Sequence, residues 1–395
     1  MNIFDYVIII LLLLYAVNFQ GHFEQIGEVI LLVAGISIVA KRYIKKSWQS
    51  VFVILFLFIY CLKVGLGLGE NVYAKILQFA GMYMFGTFLC EYYLDKNDHH
   101  ALFRLIFWGA AGFGVYGVLC TFGMGGIIGA NQRIRDFWAQ SDVIASTQVS
   151  AWIVTFLAIV PWVILQFNKL SPVYKVVTIV LGVLSAVSIF FLASRTSLLV
   201  LVLAVILTLY GLVKGKQRKM LNRIVILLFI VFLAYQMNVG GIQDRLLGSN
   251  LIIRLITKAE RGNAFQTSRT TIWLYILKHW SECLTGGYYF SEKINVQIHS
   301  ALLDLYDQAG MIPFLLLILM VMRLIYTLIQ IRKVDSDHVF GKGIQIWFLL
   351  MAFVLLTEPV WYYGRAHYVA FVFFMLGIIE HYWLRAKAGG AIRAE

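Results

Sequence analysis

Charged residues are scarce in this sequence. They make up 13% of 395 residues, where soluble domains carry about 25%. That scarcity excludes a chain whose surface faces water throughout. Proline is equally rare, with four residues, so helical runs have few breaks. Pro161, Pro313 and Pro359 fall in or beside apolar runs, where neighbouring helices can satisfy the freed backbone groups. There are four cysteines, Cys61, Cys90, Cys120 and Cys283, and they show no metal-ligand spacing. The first three lie in apolar runs as packing residues, and a Cys120–Cys283 disulfide stays open because both map to one side of the membrane. No linker, soluble domain, low-complexity tract or internal repeat stands out.

Apolar residues are what the chain has instead, at 61%. Crossing about 30 Å of hydrocarbon takes about 20 of them in a helix. About twelve runs qualify, near 3–19, 25–41, 49–67, 73–94, 101–121, 144–167, 174–193, 197–213, 223–240, 308–331, 343–360 and 366–384. They are continuously apolar rather than alternating, which argues against a β-barrel. The expected fold is an all-α polytopic bundle, with residues 1–395 forming one transmembrane domain.

Lysine and arginine mark the cytoplasmic side. Lys41, Arg42, Lys45 and Lys46 fill one short loop, and Lys214, Lys216, Arg218, Lys219 and Arg223 another. Arg332, Lys333 and Lys342 lie in a third, and Arg385, Lys387 and Arg393 follow the last run. All four clusters share a side if both termini are cytoplasmic. The net charge of +13 is then mainly a topology signal. Nucleic acid is excluded as a partner, because the clusters are short and no binding module accompanies them. The first run has Asp5 as its only early charge and no clear cleavage site, so it is expected to be retained.

One long segment, 241–300, interrupts the wall of apolar runs, with nine before it and three after. It falls on the outer side, together with Arg195, the 122–143 loop and the 361–365 turn. Within it, Arg269 opens a helical pattern whose apolar stripe is Ile272, Leu274, Ile276, Leu277 and Trp280. Such a helix is expected to lie flat on the membrane surface. Gly286-Gly287 ends it, and from His299 a second helix resumes with Leu302, Leu303, Leu305 and Tyr306.

Arg195, Arg269 and His299 are the candidate site residues. Each has a plain role when taken alone. Arg195 is a snorkelling charge in a tight outer turn, Arg269 a lipid-headgroup contact, and His299 a satisfied polar residue. Together they fit one reaction. Planar guanidinium forks bind a diphosphate through paired hydrogen bonds and stabilise it as a leaving group. Histidine is the natural general base at neutral pH. Outer-side carboxylates (Asp136, Asp142, Asp244, Glu260, Glu282, Glu292, Asp304, Asp307 and Glu358) are scattered along the chain, so no metal or other cofactor is implied.

Local motifs at these positions resemble the O-antigen ligase and polymerase superfamily of bacterial envelope glycan assembly. Ser194-Arg195-Thr196 before an apolar helix resembles the family's Ser-Arg-small motif. Arg269, Trp273 and Gly286-Gly287 resemble its Arg-helix-Gly segment. His299-Ser300, Leu303 and Gly310 resemble its His-Asn-x-x-Leu…Gly segment, with Ser300 in place of Asn. A fourth, weaker match is Arg133 or Arg135 followed by Gln148. The layout of about twelve spans with one long late periplasmic loop is also similar.

The resemblance implies a glycosyltransferase C-like bundle in the bacterial inner membrane, its site facing the periplasm. It implies metal-independent, inverting glycan transfer from undecaprenyl diphosphate to a lipid-linked repeat unit (a polymerase) or to the lipid A core (a ligase). Arg195 and Arg269, with Arg133 and Arg135, would contact the donor, and His299 would activate the acceptor hydroxyl. A chain-length regulator protein is a further expected partner, beside membrane lipids. The stretch from Arg269 to His299 is shorter than in comparable ligases, which favours the polymerase. The competing classes are a lipid-linked glycan flippase, with charges deep in several spans and repeat symmetry, and a membrane scaffold.

The topology makes a direct prediction. Single cysteines placed at Ser291 and Ser336 should label from opposite faces of the membrane with an impermeant thiol reagent. Labelling of both from one face would refute the orientation.

Overall fold

A computed structural model of the chain describes residues 3–21, 47–69, 73–96, 98–123, 133–139, 143–214, 268–295, 298–334, 339–358 and 366–393, with scattered positions in 29–35 and 221–257. The expected spans at 25–41 and 223–240 lie wholly or largely outside them. So do the outer loop up to 267, the 361–365 turn, and the basic residues Lys41, Arg42, Lys45, Lys46, Lys216, Arg218, Lys219 and Arg223.

The chain is an all-helical polytopic membrane protein with one short β-ladder. Among the described residues, eight helices are long and apolar enough to cross a membrane: Trp48–Leu66, His100–Phe122, Ser146–Leu165, Pro172–Leu192, Arg195–Val213, Met311–Lys333, Phe340–Thr357 and His367–Ala388. Ile3–Ala16 is apolar but shorter. Tyr73–Asp95 has the length, yet carries Lys75, Gln78, Glu91 and Asp95. Prolines act at helix starts. The helix ending at Leu157 restarts as Val160–Leu165 with Pro161 in its first turn, where the missing N–H costs least.

The fold divides into two compact units. The first holds Met1–Phe113, Arg269–Gln345 and Leu355–Glu395. Its central pair is Tyr73–Asp95 against Ala366–Arg393. The two helices run parallel, since Phe79 stacks on Phe373, Cys90 meets the Ile378 carbonyl and Glu91 meets His381. They cross with almost no gap. A Cβ on Gly86 would lie 2.1 Å from the Phe374 carbonyl oxygen, and one on Gly377 would lie 2.3 Å from that of Tyr83. Small residues at such crossings let backbones approach, which is how membrane helices gain dispersion energy.

One end of this unit holds buried ion pairs. Glu91 accepts from Arg385 Nε at 2.9 Å and lies 3.0 Å from His381 Nδ1, and Glu380 accepts from Arg323 at 2.8 Å and Thr327 at 2.9 Å. Arg332 and Lys333 end the helix Met311–Val334, whose 24 residues rise about 36 Å. Residues 268–310, which precede that helix, therefore gather at the opposite end.

The second unit holds Gly114–Ser268 and Ile346–Val354. In it, Arg133–Arg135 pairs antiparallel with Val143–Ala145. Asp136 fixes this hairpin, accepting from Tyr116 Oη at 2.5 Å and from the backbone N–H groups of Trp138 and Ala139. A two-residue turn, Ala193-Ser194, joins Pro172–Leu192 to Arg195–Lys214. All four cysteines are free thiols, so Cys120 and Cys283 form no disulfide. Cys283 instead fills an apolar core, described below.

Gly310 offers a sharp test of this packing. It sits at φ +83°, and a Cβ there would lie 2.5 Å from the Leu284 carbonyl oxygen. Gly182 has nothing within 4 Å of a built Cβ and no positive φ. Gly310→Ala should lower the melting temperature of the detergent-solubilised protein in a scanning fluorescence assay. Gly182→Ala should leave it within a degree or so, as expected of a change that touches no neighbour.

Candidate functional site

The segment 268–310 has a hydrophobic core of its own. Ile272, Ile276, Cys283, Phe290, Ile298 and Tyr306 are buried together, flanked by Trp273, Tyr275, Tyr289 and Leu303. This corrects the single stripe expected for the helix Ser268–Lys278. At about 100° per residue, Ile272 and Ile276 share a face while Leu274 points almost the opposite way. Leu274 and Leu277 are accordingly exposed, at 66% and 63%. The helix therefore packs inward on one side and leaves a second apolar edge outside.

Backbone contacts then fold the segment back on itself. Gly287 and Tyr288 donate to the carbonyls of Gln308 and Asp307, at 3.0 and 2.9 Å, and Met311 donates to that of Leu284 at 2.9 Å. Gly286 and Gly310 face each other with positive φ. Asp307 is buried and accepts from Phe290 N, Ser291 N and Ser291 Oγ at 2.6, 3.1 and 2.6 Å. It thereby caps the short helix Tyr289–Ile294 from a distance. On the surface, Glu282 accepts from Tyr289 and Lys293 and meets His279, and these bonds hold its carboxyl down at about 2.

Arg269 and His299 come together here. Trp273 Nε1 donates to the Ile298 carbonyl at 2.8 Å, tying the arginine's helix to the residue before the histidine. His299 has φ +60°, an uncommon conformation for a side chain-bearing residue, directly before the N-cap Ser300 of the helix Ala301–Ala309. Burial and then the Arg269 charge push its imidazole down to about 4. It is therefore neutral at pH 7 and able to accept a proton. Its Nδ1 is buried with no hydrogen-bond partner among the described residues.

Arg269 donates to the Thr357 carbonyl at 2.6 Å and faces the Glu358 carboxylate at 3.3 and 3.4 Å. Charge-assisted bonds usually measure about 2.7–2.9 Å, so this fork is loose. The arginine side chain is 23% exposed and its partner 3%. Asp304 completes the cluster. It is 4% exposed, and burial pushes its carboxyl well above the usual range, against the Ser300 backbone N–H and the Arg269 charge that favour the ionised form.

Arg195, Arg133 and Arg135 belong to the second unit. Arg195 is the first residue of the helix Arg195–Lys214 and is half-buried. Ser194 caps that helix, its Oγ accepting from Ser197 N at 3.3 Å. The Ser-Arg pair is thus a cap followed by a cation at a helix start, where anions are favoured. Arg135 is exposed on the first strand. Arg133 pairs with Ala145 through its backbone, and its side chain lies outside the described residues. Gln148 is buried in Ser146–Leu157.

Glu358 is far along the chain from Asp304 and Asp307, yet the fold brings all three to one site. Their signal was present but faint: Asp304 and Asp307 are three apart on one helix, next to His299. Among the described residues no group of three or more His, Cys, Asp or Glu is placed to hold a metal ion. No family model matches the chain, and no curated protein matches its sequence.

The electrostatics predict a titration. By ¹⁵N-histidine NMR, His299 should titrate near pH 4, and Arg269→Met should move the midpoint upward, because the nearby positive charge disfavours imidazolium. A midpoint near the free value of about 6.5 in the unaltered protein would contradict this arrangement.

Proposed function

We propose that this chain is a glycan transferase of the bacterial inner membrane, working on its periplasmic face in the manner of the O-antigen polymerases and ligases that its motifs resemble. The donor is a glycan on undecaprenyl diphosphate. The favoured acceptor is a second lipid-linked repeat unit, with the lipid A core as the alternative. The single observation that carries this reading is the juxtaposition of Arg269 with a neutral, half-buried His299 in one folded segment. That segment lies at the end of its unit opposite Arg332, Lys333 and Arg385. The placement fits an outer site if those basic residues are cytoplasmic.

The chemistry follows from these groups. His299 takes the proton of the acceptor hydroxyl, whose oxygen attacks the anomeric carbon from the face opposite the diphosphate. The bond from that carbon to the phosphate oxygen breaks, and undecaprenyl diphosphate leaves with the electron pair. Arg269 stabilises the charge that develops on it. The loose Glu358 fork gives Arg269 a partner that a diphosphate can displace. A flippase would use charges deep in several spans. Glu91 and Glu380 are buried carboxylates at one end of their unit, and each already has hydrogen-bonded partners within it. That favours a fixed internal frame over a translocation path.

The test is turnover in nanodiscs with a lipid-linked repeat unit, read as release of undecaprenyl diphosphate and growth of polymer. His299→Ala should lower the rate by about 10²–10⁴-fold, the usual contribution of a general base, with the protein still folded. In a deletion strain, a polymerase defect leaves the core capped by one repeat unit, whereas a bare core with accumulated lipid-linked polymer indicates a ligase. Flipping of the lipid-linked glycan without release of undecaprenyl diphosphate would overturn the proposal.

A further inference from the structure

Two buried polar atoms at the head of the helix Ala301–Ala309 lack partners among the described residues: His299 Nδ1 and Asp304 Oδ2. Leaving a buried acceptor or donor unmet costs roughly 1–3 kcal/mol, so two such atoms at the head of one helix call for an account. The other carboxylates nearby are already committed. Asp307 accepts three hydrogen bonds from residues 290 and 291, and Glu358 faces the Arg269 fork. Asp304 is the one acidic residue of the cluster with an oxygen to spare.

Its position is also specific. The Ser300 backbone N–H favours the ionised form of the Asp304 carboxyl, and that N–H belongs to the peptide bond that joins His299 to Ser300. Side chains on a helix lean toward its N-terminus, so a residue one turn in reaches back over the turn that starts it. The Asp304 side chain is thereby directed toward the start of the helix, where the histidine stands, and its Oδ2 remains open.

We propose that Asp304 is a positioning residue for His299, one oxygen fixing the His299–Ser300 peptide and the other accepting the imidazole Nδ1–H in the working state, so that Nε2 is turned to the acceptor hydroxyl. This inference rests on the glycan-transfer reading of the site. A histidine acting as base through one nitrogen needs its proton on the other, and the hydrogen bond made there decides the tautomer. Burial disfavours the charged form of each group, and a shared hydrogen bond lowers that cost for both. The charges that face the pair are Arg269, from the helix Ser268–Lys278, and Asp307, from its own helix. Arg269 by itself opposes imidazolium. A diphosphate on Arg269 would cancel that opposition, so donor binding itself would raise the basicity of His299 and draw it onto Asp304.

The experiment uses the full chain in nanodiscs, with inorganic pyrophosphate as the probe for the donor headgroup. ¹⁵N-histidine NMR should show the His299 midpoint rising when pyrophosphate is added, with the proton on Nδ1. Asp304→Asn should reduce that rise while keeping the Ser300 contact and the fold. With a lipid-linked repeat unit as substrate, Asp304→Asn should lower kcat by about 10- to 100-fold, the scale known for outer partners of metal-bound histidines. KM should change little, and the acidic limb of the pH–rate profile should move to lower pH. A purely structural residue would instead lower the melting temperature and leave the pH profile in place. If the unaltered protein releases no undecaprenyl diphosphate, the glycan-transfer reading fails. The NMR titration still decides the pairing, and a His299 response to pyrophosphate that is the same in Asp304→Asn overturns it.

Discussion

The candidate site hangs on a place where two stretches of backbone touch. Gly286 and Gly310 approach so closely that a Cβ on either would lie 2.5 Å from a carbonyl oxygen of the other stretch. Both need positive φ, which glycine adopts without steric cost. The contact folds the segment after Ser268–Lys278 onto the start of Met311–Val334. It places Asp307 under residues 290 and 291, and lets Phe290, Cys283 and Tyr306 share a core with Ile272 and Ile276. That core in turn holds Ile298, whose carbonyl receives Trp273 Nε1. Loosening the glycine contact would therefore separate Arg269 from His299 without touching either.

Charge is the second constraint. Arg269, Glu358, Asp304 and His299 occupy ground with limited access to water, so no member can be altered alone. Arg269 lowers the basicity of His299 and favours the ionised form of Asp304. Glu358 balances the arginine through a long, loose fork rather than a tight pair. A tightly paired buried arginine would be a structural element, costly to open. A loosely paired one, with part of its surface in contact with solvent, can exchange its carboxylate for another anion of similar geometry.

Much of this was legible in the sequence because it depends on local rules. Long apolar runs gave the helices at 49–67, 101–121, 174–193 and 343–360 to within a few residues. His299 does stand at the head of a helix, whereas the helix that Arg269 opens stops at Lys278, well before the Gly286-Gly287 pair expected to end it. The misses come from tertiary contacts. The stripe on Ser268–Lys278 divides because a small core exists to bury Ile272 and Ile276, which spacing alone does not reveal. Glu358 is 89 residues from Arg269, and nothing in the spacing joins them. The sequence left a Cys120–Cys283 pairing open, and the fold settles it by recruiting Cys283 to that core as a free thiol. The β-ladder at 133–135 and 143–145 was hidden because its pattern is three residues long on each side.

The division of labour within the first unit also argues for where chemistry belongs. Buried groups at one end, Glu91 with His381 and Arg385, and Glu380 with Arg323, are bonded to one another at 2.8 to 3.0 Å, and of these Arg323 Nε alone is buried with no partner among the described residues. At the other end the polar groups are under-bonded: a fork at 3.3 and 3.4 Å, a histidine nitrogen and a carboxylate oxygen without partners among the described residues. A membrane protein gains nothing in stability from such deficits, and each carries a cost. They persist because the surrounding backbone is over-determined by the glycine crossing, the Asp307 cap and the Trp273 tether. A frame that rigid can hold Arg269, His299 and Asp304 short of satisfaction, which is the condition under which a bound diphosphate and hydroxyl have something to complete.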